Sequence, residues 1–214
     1  MSIEQLLALM FKQAFEDVLS NLTADKVLTD DLFEEIHFKY SSASRYYHNV
    51  GHLDHLTREL NPVKNQIEDW QTIILSVAYH DIVYNPLKKD NEERSASIAV
   101  DRLSKLNLKE DQKEKCRQQI LSTKTHAASD NPDTNYFTDA DLSILGSVAE
   151  SYLEYSCQVR KEYKYFPDLL YKPGRKKVLM RFLEMTNIFK TKHFQNKYER
   201  QARLNLTNEL RSLS

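Results

Sequence analysis

The chain is poor in the residues that break regular structure. Among 214 residues there are 3 glycines and 5 prolines. So few positions of special backbone geometry leave little material for tight turns, and long helices joined by short polar connections are expected. Two cysteines, Cys116 and Cys157, stand far apart with no C-x-x-C spacing. A disulfide framework is thereby excluded, and free thiols point to a reducing compartment. No apolar run approaches the length needed to span a bilayer. Charge of either sign is not in excess: 30 Lys and Arg face 31 Asp and Glu, a formal net charge of −1. No global field therefore draws the chain to nucleic acid or to an anionic membrane, although a local basic pocket for a small phosphate is still allowed. Glu4 and Lys12 interrupt the apolar pattern at the start, so no secretory leader is expected. These absences describe a cytoplasmic protein of one domain over residues 1–214, large enough to build a core without disulfides.

What is present is helical periodicity. Ile3, Leu6, Leu7, Met10, Phe11, Ala14, Phe15, Val18 and Leu19 recur at three- and four-residue steps. That spacing places one broad apolar face on an amphipathic helix. Lys12 is the lone cation opposite, so core packing is expected rather than a membrane surface. Asp30 or Asp31 is expected to cap a second helix running towards Tyr40. Asn61-Pro62 ends a helix carrying Leu53, Leu56 and Leu60. Asp90 with Glu93 three residues on reads as a capping-box-like start to a helix continued by Ile98, Ala99, Arg102, Leu103 and Leu106. Asp139 and Asp141 precede an apolar segment, where an N-cap would be unremarkable. Three further helices fill the last third, the middle one interrupted at Pro173-Gly174. An all-α, single-domain bundle of roughly eight to ten helices is the expected fold.

Chemistry concentrates in two stretches. Ile67, Trp70, Ile73, Ile74, Val77 and Ala78 form an apolar helical stripe that ends in His80-Asp81, an imidazole and a carboxylate presented together at a helix terminus. Upstream, three of the 7 histidines, His48, His52 and His55, fall close together. If that stretch is helical, His48 and His52 share a face one turn apart, as do His52 and His55. The glutamate of H-E-x-x-H is missing, which argues against a zinc protease. His55 reads as an ordinary packed or surface residue. In chain order Arg45-x-x-His48, His80-Asp81 and Asp141 supply two imidazoles and two carboxylates. A mixed nitrogen and oxygen set suits a borderline divalent ion better than Ca²⁺ and leaves positions for water.

The pattern resembles the HD superfamily of metal-dependent phosphohydrolases. It is carried by Tyr46-Tyr47-His48-Asn49-x-x-His52-Leu53, by Tyr79-His80-Asp81-Ile82-Val83-Tyr84, by Asn91-Glu92-Glu93-x-Ser95-Ala96 and by Asp139-Ala140-Asp141-Leu142-x-Ile144-Leu145-Gly146. Arg160-x-Glu162-Tyr163, Gly174-Arg175 and Ala202-Arg203-x-Asn205-Leu206 extend the likeness to one uncharacterised bacterial branch over nearly the whole chain. The resemblance implies an HD-type helical bundle, with metal ligands at His48, His80, Asp81 and Asp141. Asp139 stands as the alternative to Asp141. Only His126 lies between the His-Asp pair and the last aspartate, so one ion (Mn, Fe, Co, Ni, Zn or Mg) is expected rather than two.

A divalent ion lowers the pKa of its bound water and polarises a phosphoryl oxygen. Hydrolysis of a small phosphoester or phosphoanhydride, a nucleotide first among them, by metal-bound hydroxide is therefore the expected activity. Glu92 or His52 is the expected proton carrier. Arg45, Lys124, His126 and Arg175 are the expected phosphate contacts, each with an ion-pair partner role as its alternative. The partner is a small phosphorylated molecule, with no membrane or nucleic acid, and a homodimer is compatible with the sequence. A metal- or nucleotide-binding sensor on the same scaffold is the competing expectation.

Overall fold

A computed structural model describes residues 9–213. Ile3, Leu6 and Leu7 of the first apolar stripe lie outside the described residues. Ten α-helices are found among those described: α1 Leu9–Leu22, α2 Lys26–Tyr40, α3 Val50–Leu60, α4 Trp70–Tyr79, α5 Asn91–Leu103, α6 Glu110–Ser122, α7 Pro132–Leu142, α8 Ala149–Glu162, α9 Asp168–Glu184 and α10 Lys192–Ser212. Two 3-10 turns, Asn61–Gln66 and Ser143–Gly146, complete the regular structure, and no strand occurs among the described residues. The all-α expectation holds. No helix among the described residues is long and apolar enough to cross a membrane. Contacts group the chain into two compact units, Met1–Thr138 and Asp139–Ser214.

In the first unit the apolar stripe of α1 does what its spacing predicts. Phe11, Phe15, Val18 and Leu19 are buried, and α1 packs on α2, α3 and α4. Each such side chain contributes about 1.5–3 kcal/mol over leaving it in water. The start of α1 is capped from a distance: the buried Asp54 carboxylate on α3 accepts from the Met10 and Phe11 amides at 3.1 and 3.3 Å. Asp133 on α7 plays the same part for α4, accepting from the Glu68 and Asp69 amides at 2.9 Å each. Helix N-termini expose amides without partners, so a buried carboxylate there is stabilising by both hydrogen bonding and dipole.

Several local expectations are corrected. Helix α2 begins a turn before Asp30 because Asp25 is its cap, accepting from the Leu28 amide at 3.1 Å. Asp90 does precede α5, but its side chain makes no capping bond. Glu93 pairs instead with the Lys124 ammonium, so the capping box does not form. Helix α5 ends at Leu103, short of Leu106. Asp139 and Asp141 open nothing, since they lie near the end of α7, which already starts at Pro132.

The second unit is built around α10, which packs on α9 and on the turn Ser143–Gly146. A Cβ at Gly146 would stand 2.5 Å from Tyr198 Cβ and 2.8 Å from the Tyr198 carbonyl oxygen, so only glycine admits this approach. Asn205 on α10 donates to the Leu145 and Ser147 carbonyls at 2.9 and 2.8 Å and fastens the same turn. The expected interruption at Pro173-Gly174 is absent, and α9 runs through both residues. Proline in a helix interior costs about 3 kcal/mol. The buried residues of α9 that follow the proline, Arg175, Leu179 and Phe182, offset that cost.

Arg175 is held by Glu209 in a two-pronged pair, Nε to Oε1 at 2.7 Å and Nη2 to Oε2 at 2.9 Å, with the Tyr152 hydroxyl also donating to Glu209. Burial raises the Glu209 pKa, but the Arg175 hydrogen bonds and charge outweigh it, and the carboxyl ends below the ordinary 4.5. A depressed folded pKa contributes stability that is complete above the unfolded value and is lost as pH falls through the folded one. Urea melts from pH 7 down to 3 are therefore expected to show Glu209→Gln less stable than the parent at pH 7, with the gap closing as acid is added. A constant gap across that range would remove the assignment.

Candidate metal centre

Helix α4 delivers the His-Asp pair by the way it ends. Asp69 caps its start, accepting from the Thr72 amide at 3.0 Å. Its body is buried almost all round, and Ser76 is satisfied by Gln119 of α6 at 2.6 Å and by the Thr72 carbonyl at 2.9 Å. Beside Ser76, burial pushes the Cys116 thiol up to about 12, so this cysteine stays protonated. At the C-terminus His80 Nδ1 lies 2.9 Å from the Val77 carbonyl, the acceptor that the Asp81 amide would use in a continuing helix. The Asp81 amide turns instead to the Tyr40 hydroxyl oxygen at 3.0 Å. A carbonyl only accepts, so His80 Nδ1 carries the proton and Nε2 presents a lone pair. This is the tautomer that binds a metal through Nε2, with the backbone orienting the ring.

That lone pair has company. His52 Nε2 is 3.1 Å from His80 Nε2, and Asp81 Oδ2 is 3.4 Å from His80 Nε2. All three ligand atoms lie within 4.8 Å of one another, so the group can hold a metal ion. Ligands about 2.1 Å from one ion stand about 3.0 Å apart at right angles and about 3.4 Å apart at tetrahedral angles. The two edges, 3.1 and 3.4 Å, match such spacings. His80 is 1% exposed and His52 3%, whereas the Asp81 side chain is 18% exposed. The imidazoles are thus buried, and the carboxylate is the most exposed of the three.

The group that can hold an ion thus contains His52, for which the motif reading expects a proton-carrier role, where that reading places His48. The difference arises from the start of α3. Asn49 caps it, its Oδ1 accepting from the Gly51 amide at 2.8 Å, so His48 precedes the helix and shares no helical face with His52. The two rings still meet, with centroids 5.5 Å apart. His48 Nε2 lies 3.9 Å from Asp81 Oδ2, at the edge of the group. His55 is outside it.

The remaining expected site residues are placed as follows. Glu92 is in the first turn of α5, where the helix dipole favours a carboxylate. Lys124 approaches it at 3.9 Å, pairs with Glu93 and donates to the Lys89 carbonyl at 2.9 Å. The expected proton carrier and one expected phosphate contact thus sit against each other. His126 ends the chain's exit from α6 in a left-handed conformation, φ 51°, its amide bonded to the Ser122 carbonyl at 2.8 Å. Arg45 is buried, donating to the His48 and Ile82 carbonyls at 3.0 and 3.1 Å. Arg175 is the partner of Glu209 in the second unit.

Asp139 is fully occupied within the second unit. It accepts from the Lys190 amide at 2.9 Å, from the Thr191 amide at 2.8 Å and from the Thr191 hydroxyl at 2.8 Å, just before α10. Lys190 Nζ lies 3.3 Å from Oδ1, with the lysine side chain 7% exposed and the aspartate 0%. Burial raises the Asp139 pKa and lowers that of Lys190. Of the Asp139-Ala140-Asp141 motif, the first carboxylate is thus a helix cap.

Sequence reasoning missed Tyr40, whose hydroxyl holds the Asp81 amide, and Tyr84, whose ring stacks on His48 at 4.3 Å. Tyr84 was visible in the motif Tyr79-His80-Asp81-Ile82-Val83-Tyr84, but nothing local signals the role of Tyr40. No family model, curated protein or solved structure matches this chain.

Proposed function

We propose that this protein is a metal-dependent phosphohydrolase acting on a small phosphorylated molecule, with a nucleotide as the leading substrate class. The observation that carries the proposal is the convergence of His52 Nε2, His80 Nε2 and Asp81 Oδ2 on one point. The donor set fits a borderline divalent ion: two neutral imidazoles and one carboxylate, with the His80 tautomer set by the Val77 carbonyl. A divalent ion held there lowers the pKa of a coordinated water and polarises a phosphoryl oxygen. His52 and His80 supply neutral nitrogen, and Asp81 supplies the negative charge that favours a cation. His48 stands at the edge as a further donor. Asp141 is proposed as an additional carboxylate from its motif alone, and the engagement of Asp139 with Lys190 and Thr191 favours it over Asp139. Glu92 is the proposed proton carrier from its motif, with Lys124 3.9 Å from its carboxylate. A cytoplasmic location is proposed on the same footing, from the free Cys116 and Cys157.

A second reading, a sensor that binds a metal or nucleotide without turnover, is favoured by one observation. Arg45, Lys124 and Arg175 each have partners of their own. A hydrolysis screen over nucleotides, cyclic dinucleotides and simple phosphate esters with Mn²⁺, Co²⁺, Zn²⁺ and Mg²⁺ separates the two. The enzyme reading expects turnover of at least one class, removed by chelator. Ion binding with no turnover on any class would transfer the assignment to the sensor.

A further inference from the structure

The elements bearing His48 and Asp81 are joined by a column of side chains. Tyr40, fully buried at the end of α2, accepts the Asp81 amide at its hydroxyl, 3.0 Å away. The Arg45 guanidinium lies over the Tyr40 ring at 4.6 Å and over the Tyr84 ring at 5.5 Å. Tyr84 in turn stacks on the His48 imidazole at 4.3 Å with the planes 28° apart. One end of the column is thus fastened to the backbone of Asp81, and the other is the ring of His48. Arg45 adds a cross-tie: Nη1 donates to the His48 carbonyl and Nη2 to the Ile82 carbonyl, one residue beyond Asp81. Planar cations between aromatic faces are favourable when desolvated, and here the cation is also hydrogen-bonded to both loops.

We propose that Tyr40, Arg45 and Tyr84 form a strut that sets the separation of His48 from Asp81 and thereby the affinity of the site for its ion. Arg45 is then a positioning residue, where the motif reading made it a phosphate contact. The proposal rests on the metal-centre reading of His52, His80 and Asp81, with His48, 3.9 Å from Asp81, as the further donor proposed above. Its physical basis is preorganisation. Ligands that must be gathered on binding lose conformational freedom at that moment, whereas ligands already held do not. Partners that orient a metal's ligands typically matter about 10–100-fold in affinity.

The test is calorimetric titration of the full chain with Mn²⁺ alone, alongside circular dichroism to verify folding. Tyr84→Phe keeps the ring and is expected to bind within about twofold of the parent. Tyr84→Ala and Arg45→Met are each expected to weaken binding about 10–100-fold, as loss of an orienting partner does. Because Arg45 is buried, Arg45→Met is read only if it folds. Tyr84, half-buried on a loop, keeps the proposal open to refutation by itself. Parent-like Mn²⁺ affinity in Tyr84→Ala, or an equal loss in Tyr84→Phe, overturns the strut. So does a raised KM for a phosphoester in Arg45→Met at unchanged Mn²⁺ affinity, which would make Arg45 a substrate contact. Failure of the underlying reading is distinguishable. It would appear as Mn²⁺ affinity in His80→Ala equal to the parent's, or as no binding by the parent at all, and either result removes the strut as well.

Discussion

Asp81→Ala is expected to lose divalent-ion binding and, with it, the proposed phosphoester hydrolysis, while its melting temperature without metal is expected to stay close to the parent's. The expectation follows from where the carboxylate sits. Its Oδ2 is 3.4 Å from His80 Nε2 and 3.9 Å from His48 Nε2, and it brings the one negative charge of the ligand group His52, His80 and Asp81. Removing a partner behind a ligand typically costs about 10–100-fold in metal affinity, and removing the ligand itself costs more. Stability is little affected, because what Asp81 gives to the fold is its backbone amide, bonded to Tyr40, and alanine keeps that amide. His55→Ala is the matched control, a histidine of the same stretch outside the ligand group. It should bind and turn over like the parent. Hydrolysis that survives Asp81→Ala at the parent's rate would defeat the assignment.

Asp139→Ala is expected to destabilise the chain by about 3–5 kcal/mol, the cost of stranding one half of a buried ion pair. Asp139 is fully buried, and its carboxylate serves the amides of Lys190 and Thr191, the Thr191 hydroxyl and the Lys190 ammonium. Alanine removes the nearest counter-charge of the Lys190 ammonium and leaves the Lys190 and Thr191 amides without their acceptor. Asp139→Asn keeps one acceptor oxygen and should lose less. Adding Lys190→Met to Asp139→Ala removes the stranded charge and should recover part of the loss, so the two changes are non-additive. Urea melts of the parent, Asp139→Ala, Asp139→Asn, Lys190→Met and the double variant check this. A loss below about 0.5 kcal/mol, the range of an ordinary surface substitution, would contradict the cap and pair described here.

Much of the helical pattern was legible because it is local. The stripe from Phe11 to Leu19 and the run from Trp70 to Ala78 repeat at helical spacing, and the structure buries most of both. The stop at Asn61-Pro62 and the release of His80 at a helix end were equally readable, since proline chemistry and the end of an apolar run act on near neighbours. What could not be read depends on partners far along the chain. Asp54, Asp133 and Asp139 cap helices from positions 44, 65 and 51 residues away. An aspartate in sequence does not announce such a role. Caps were misplaced where several candidates were close, as with Asp25 against Asp30 and Asp31. The candidate site was legible as a dipeptide with two histidines upstream. Which histidine joins it was not, because that turns on Asn49 starting α3 one residue after His48.

One ion is proposed to be held by His52, His80 and Asp81. The direct measurement is a crystal of the full chain grown with Mn²⁺, with anomalous difference density collected near the manganese edge. A single strong peak about 2.0–2.3 Å from His52 Nε2, His80 Nε2 and an Asp81 carboxylate oxygen is the result expected for a nitrogen and oxygen donor set. A peak elsewhere, or none at these atoms with Mn²⁺ in excess, would contradict it.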